Sequence, residues 1–276
     1  MWRRLLLLFA LSYASAVHII HHHIAKTGGA SLIKALKDSY GISESNVWRG
    51  YHEYRSMRDA STITQRYSLL TGHYNINFWL KLNATSYPAD VVITEVREPF
   101  NRMVSDYLFR GDIEHSQQDL LQRICGRVHD YKFPPRCYSD YHILALARQF
   151  SPVLEKTDRY YTANMTTQVH LDDAIAMLQT IDFVLMIDFL QTSLSQFEQR
   201  YGKALPYEHA HNAADSGLGD LKQRMHSSEQ LFAAFYEYNR HDYQLYAFAV
   251  QQLTGRPAEL RQPTMSRAEA CGFRRH

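Results

Sequence analysis

Cysteine is scarce in this chain. There are three, Cys125, Cys137 and Cys271, and no two stand at the CxxC spacing. That spacing is what a thiolate zinc site needs, so a cysteine-based zinc centre is not expected. An excess of one charge is missing too. Lys and Arg number 30 against 28 Asp and Glu, and the formal +2 is supplied by Arg3 and Arg4 alone. From residue 17 onward the counts balance, which gives no support to a nucleic-acid-binding surface. No apolar run reaches the ~20 residues that span a bilayer. No internal repeat and no long linker divides the chain, so one domain is expected.

What is present is core material and histidine. Hydrophobic residues make up 45% and aromatics 13%, enough for a packed interior and against disorder. Fifteen histidines, each titrating near pH ~6.5 when unperturbed, add positive charge in a mildly acidic lumen.

The opening "MWRRLLLLFALSYASA" reads as a secretory signal over residues 1–16. Arg3 and Arg4 are its basic start, Leu5 to Leu11 its apolar run, and Ala14-Ser15-Ala16 its small-residue cleavage pattern. Retained as an anchor it would have to extend through Val17 to Ile20 and consume the first strand. A secretory route makes Asn83-Ala84-Thr85 and Asn164-Met165-Thr166 glycan acceptors. It also makes Cys125 and Cys137, which flank "GRVHDYKFPPR", candidates for a local disulfide that leaves Cys271 free.

Strands are expected at Val17 to Ile24, Tyr67 to Leu70, Asp90 to Val96 and Ile181 to Ile187. Helices are expected at Ser31 to Tyr40, Pro99 to Arg110, Tyr141 to Phe150, Leu171 to Leu178 and Thr192 to Tyr201. Ser227-Ser228-Glu229-Gln230 starts another through Tyr238, and a last one runs from Asp242 to Leu253. Strands alternating with helices predict an α/β fold with a mainly parallel central sheet over residues 17–253. The prolines, small residues and arginines of 254–276 predict a mobile tail.

Two stretches carry chemistry. In "HIAKTGGAS", Lys26 precedes Thr27, Gly28, Gly29, Ala30 and Ser31, and a helix begins at once. Free N–H groups at a helix start favour an anion; two glycines let the backbone wrap it, and Thr27 and Ser31 offer hydroxyls. The lysine comes before the glycines, so this is not a Walker A loop. In "VVITEVREPFNRMVSDYLF", Arg97 ends a strand, Pro99 opens a helix, and Ser105 lies eight residues past Arg97. The arginine suits a phosphate and the serine can close on it. The plainer alternative pairs Arg97 with Glu95 or Glu98.

Together these stretches resemble the sulfotransferases that use 3′-phosphoadenosine 5′-phosphosulfate (PAPS), in particular the Golgi carbohydrate group with the heparan sulfate 2-O- and 6-O-sulfotransferases. "HIAKTGGAS" is similar to that family's 5′-phosphosulfate loop and "REPFNRMVSDYLF" to its 3′-phosphate motif. "FVLMIDFLQTSLSQFEQRYG" and "YNRHDYQLYAFA" resemble its third strand and closing helix. The resemblance implies a fold shaped like the P-loop nucleotide kinases. It also implies PAPS as donor with no metal required, Lys26 to Ser31 on the 5′ side, and Arg97 with Ser105 on the 3′-phosphate. The family's histidine base falls in "LLTGHYNINFWL", on His73; imidazole is well matched to accepting a hydroxyl proton near neutral pH. Lys26 would assist the departing phosphate. The implied location is the Golgi lumen or outside the cell. Ala25 and Ala30 depart from the family pattern, which has proline before the lysine and a hydroxyl residue after the glycines.

An ATP-dependent kinase of related fold would need a Walker loop and a magnesium-holding carboxylate, and neither can be placed. A non-catalytic glycan- or nucleotide-binding protein is the other alternative; Lys26 and His73 count against it. Of His21, His22 and His23, only the first and third share a strand face, so packing beside the loop is expected over metal binding. "WRGYHEYRSMRDA" holds Arg49, His52, Arg55 and Arg58, either a solvated helix face or a contact surface for an anionic acceptor sugar. The acceptor is expected to be a glycan hydroxyl, with protein tyrosine or small alcohols as alternatives.

Overall fold

A computed structural model describes residues 17–50, 67–85, 87–109, 115–126, 140–147, 166–208 and 218–272. Five strands are β1 (Ile19–His22), β2 (Val47–Gly50), β3 (Leu69–Gly72), β4 (Val91–Val96) and β5 (Phe183–Met186). They form one sheet in the order β2-β3-β1-β4-β5, and every pairing is parallel. In register, Ile19 lies opposite Leu69 on one side and Val91 on the other. The continuous β-branched and apolar runs explain the arrangement: parallel strands buried on both faces need no polar alternation, and all six residues of β4 are buried.

Helices cover both faces. On one, α1 (Gly29–Tyr40) brings Leu32 and Leu36 onto Ile19, Leu69, Ile93 and Leu185. Phe197, the only apolar residue buried in α7 (Leu190–Tyr201), joins the same layer. On the other, α2 (Ile76–Thr85), α5 (Tyr141–Leu146), α6 (Gln168–Thr180) and α10 (Arg240–Thr254) pack Trp79, Ile143, Leu171 and Leu245 against Ile20, Leu70, Val92 and Met186. A separate cluster joins α3 (Pro99–Phe109), α4 (Gln117–Ile124), α8 (Gly219–Ser227), α9 (Glu229–Tyr236) and α11 (Arg267–Cys271). Ser228 starts α9 by accepting the Leu231 N–H at 3.2 Å, one residue later than a capping box from Ser227 to Gln230 would place it, and Gln230 turns to the Ala270 carbonyl instead.

Three expectations need correction. The "WRG" of the arginine-rich stretch is not helix: Val47–Gly50 is an edge strand in register with β3. Residues 254–272 are not a free tail, because α11 docks on α4 and α9. Arg267 Nη2 donates to the Ile124 carbonyl at 2.8 Å and Gln230 Nε2 to the Ala270 carbonyl at 2.8 Å. And Cys125 pairs not with Cys137 but with Cys271, 146 residues away; the docking of α11 brings the two Cα atoms to 5.6 Å. Cys137 lies outside the described residues. The bridge fits a protein matured in an oxidising compartment, secreted or lumenal. Among the described residues no helix is long and apolar enough to cross a membrane.

Strand order decides where a ligand can sit. The connection leaving β1 runs toward β2, whereas that leaving β4 runs toward β5. The crevice opened between two such strands at their carboxyl ends is where open parallel sheets bind ligands. The loop at Lys26 and the residue Arg97 flank that crevice.

Candidate functional site

The loop between β1 and α1 is held in a strained shape. Lys26 has φ 67 and Gly28 has φ 97. A left-handed conformation is routine for glycine and costly for lysine, and such strain persists where surrounding structure enforces it. Thr27 is fully buried, and its hydroxyl donates to the Ile24 carbonyl at 2.5 Å. It therefore braces the loop instead of offering its proton to a ligand. Ser31 and Leu32 donate their N–H groups to the Gly28 carbonyl. The N–H groups of Gly28, Gly29 and Ala30 have no acceptor among the described residues. Three such donors at a helix start, with the dipole behind them, make an anion seat. Ala30 has no hydroxyl to contribute, but its backbone takes part. A Cβ on Gly29 would stand 2.2 Å from the His23 ring, so glycine there lets the ring lie against the helix start.

Arg97 joins this loop from β4. Its Nη1 donates to the Lys26 carbonyl at 3.2 Å, while its Nε is shielded from solvent with no partner among the described residues. Burial lowers the guanidinium pKa, and Asp188 and Glu98 oppose that. Neither acid the sequence offered as its partner pairs with it. Glu95 turns inward to His21, with Oε2 2.6 Å from Nε2, and Glu98 accepts from Tyr243 Oη and from the Asn101 N–H at 2.6 Å each. Ser105 is half-buried in the middle of α3. The Lys26 Nζ lies 3.4 Å above the ring of Phe109, a cation–π contact that ties the loop to the end of α3.

His73 follows β3 directly. Its Nδ1 is 3.0 Å from the His23 carbonyl. A carbonyl only accepts, so Nδ1 carries the proton and Nε2 holds the lone pair of the neutral ring. The His23 ring packs on it at 4.2 Å. Burial, and then His73, push the His23 pKa well below its ordinary value. His21 and His23 do share a face, with rings 5.3 Å apart. Both His21 nitrogens are engaged, by Glu95 and by Thr71 Oγ1 at 2.8 Å. Burial raises the Glu95 pKa while His21 holds it back. Among the described residues no group of three metal-ligating side chains is found.

Three participants carry no sequence signal. Tyr207 reaches the loop because residues 204–208 run back along α1. Ser39 Oγ donates to the Ala204 carbonyl, Lys34 Nζ to Glu208 Oε2 at 3.1 Å, and Tyr207 Oη to the Gly28 carbonyl at 3.2 Å. Lys222 and His226 approach Arg97 from α8. Only packing brings these segments together, so no local pattern marks them.

The remaining candidates are dispersed. Arg49 is on the edge strand, paired with Glu44 through its Nη1 and Nη2. Asn83 is in the last turn of α2, its Oδ1 accepting the Ala89 N–H at 2.7 Å. His52, Arg55, Arg58, Asn164 and the signal segment lie outside the described residues. Compared with known protein families and with curated protein sequences, the chain matches none.

Proposed function

We propose that this protein is a sulfotransferase that moves a sulfuryl group from PAPS to an acceptor hydroxyl, in the first place on a carbohydrate, in the Golgi lumen or outside the cell. On this reading the parallel α/β sheet is of the nucleotide-kinase-like sulfotransferase type. One observation carries the reading. Three unaccepted N–H groups at Gly28 to Ala30 share a crevice with an arginine that bonds their own loop and keeps a shielded, unpartnered Nε. That is a site for a ligand with more than one anionic group.

The donor supplies the activated sulfuryl group. Gly28 to Ala30 hold its 5′ end through backbone N–H groups, with Ser31 beside them, and Arg97 and Ser105 take its 3′-phosphate. The acceptor oxygen attacks sulfur, the bond from sulfur to the 5′-phosphate oxygen breaks, and the hydroxyl proton goes to Nε2 of His73. The backbone bond at Nδ1 fixes the tautomer this role needs. Lys26 offsets charge on the departing oxygen. The acceptor enters from the β3–β2 side, where His73 ends one strand and Arg49 stands on the next.

The test is labelled PAPS incubated with a panel of glycans, peptides and small hydroxyl compounds, using wild type and Lys26→Ala. Transfer to at least one class is expected from wild type. The variant should show none, yet bind adenosine 3′,5′-bisphosphate with only modest loss. Unchanged turnover in the variant, or no transfer to any class, overturns the proposal.

A further inference from the structure

We infer that helix α8 completes the anion site at Arg97: Lys222 and His226 join it to hold a phosphate monoester, the 3′-phosphate of the donor nucleotide. This rests on the donor reading above and adds residues to it that no motif marks.

The geometry comes from one helix face. Lys222 and His226 are four residues apart on α8 and so point the same way; both are half-buried, beside a fully buried Met225. Helix α8 packs on α3. The His226 ring stands edge-on to Phe100 at 6.3 Å, and Phe100 is three residues past Arg97. Arg97 Nε and His226 Nδ1 are both shielded from solvent and have no hydrogen-bond partner among the described residues.

Nearby acids offset the group's charge only in part. Asp188, two residues past β5, acts on Arg97 and His226 through its charge, and its carboxylate accepts from the Glu98 N–H at 2.6 Å, Tyr246 Oη at 3.2 Å and Asn101 Nδ2 at 3.4 Å. Glu98 is taken by Tyr243 and the Asn101 N–H. Among the described residues neither acid forms an ion pair with Arg97, Lys222 or His226.

The three basic groups therefore disfavour one another's charge. Burial, then Arg97, lowers the Lys222 pKa. Burial, then Arg97 and Lys222, brings His226 down to about 4, with Asp188 opposing. Such a juxtaposition is costly by itself and is relieved by an anion. A dianionic monoester meets two cations and offers oxygens to both orphaned nitrogens.

The experiment is calorimetric titration of adenosine 3′,5′-bisphosphate and adenosine 5′-monophosphate into the full chain, as wild type, Lys222→Ala, Lys222→Arg and His226→Gln. Lys222→Ala should lose about ten- to hundred-fold in affinity for the bisphosphate, the cost of one charge-assisted contact, and nothing for the monophosphate. Lys222→Arg should retain most of the affinity, which also controls for folding, and His226→Gln should show a smaller loss with the same selectivity. Equal losses for both nucleotides, or no loss for either, overturn the role of α8 and leave the donor reading standing. A wild type that does not prefer the bisphosphate overturns both.

Discussion

Replacing Cys271 by serine tests the least local feature of the fold. The bridge to Cys125 closes a loop of 146 residues. Chain-entropy reasoning assigns a loop of that length about 5 kcal/mol of stabilisation through the unfolded state, against about 3 kcal/mol for the short Cys125-to-Cys137 loop. For a domain of this size 1 kcal/mol moves the melting temperature by ~2–4 °C, so Cys271→Ser should lower it by roughly 10–20 °C. Noncovalent docking of α11 persists in that variant, through Arg267 on the Ile124 carbonyl and Gln230 on the Ala270 carbonyl. The loss should therefore be global and cooperative. Cys125→Ser should match it, the double variant should add nothing, and Cys137→Ser should be neutral. Thermal unfolding followed by circular dichroism, with peptide mapping under non-reducing conditions, reads all four. Were Cys137→Ser to cost about 3 kcal/mol and Cys271→Ser nothing, the local pairing would be the native one and the docking of α11 would be wrong.

His73→Ala should reduce turnover by ~10²–10⁴-fold, the usual worth of a general base, and leave bisphosphate affinity as in wild type; joint loss of both would make the residue structural. Acidification should destabilise the fold through His22. Burial, then His21, brings its folded pKa to about 3, whereas the unfolded ring takes a proton near ~6.5. The unfolded state binds more protons between those values, so stability falls as pH drops through that window, by on the order of 5 kcal/mol in total. His22→Asn should flatten this part of the stability-against-pH curve in urea titrations. An unchanged slope would mean His22 is not held neutral.

The sheet was legible because buried parallel strands are written locally. "DVVITEV" and "IDFVLMI" are mainly β-branched and apolar, and the observed β4 and β5 fall inside them. The loop at Lys26 was legible for a related reason: adjacent glycines between a strand and a helix mark a backbone that must turn tightly. Strand β2 was missed because Trp48 and Arg49 lie among charged residues, and an edge strand needs no apolar run. Glu95 lies two residues before Arg97, a spacing that shares a face only while a strand continues; β4 ends at Val96, and His21 on the neighbouring β1 takes the Glu95 carboxylate.

Local sequence was enough for four of the five strands, for seven of the helices, for the place of the two loops at strand ends and for the position of His73 after a strand. Local backbone preference and side-chain period are enough for those. Tertiary structure alone decided the partners: Cys271 for Cys125, His21 for Glu95, the Lys26 carbonyl for Arg97, and Tyr207 and α8 beside the crevice. Each joins segments tens of residues apart or more. Such a contact is selected by the free energy of packing whole layers together, and no local pattern of residues carries that information.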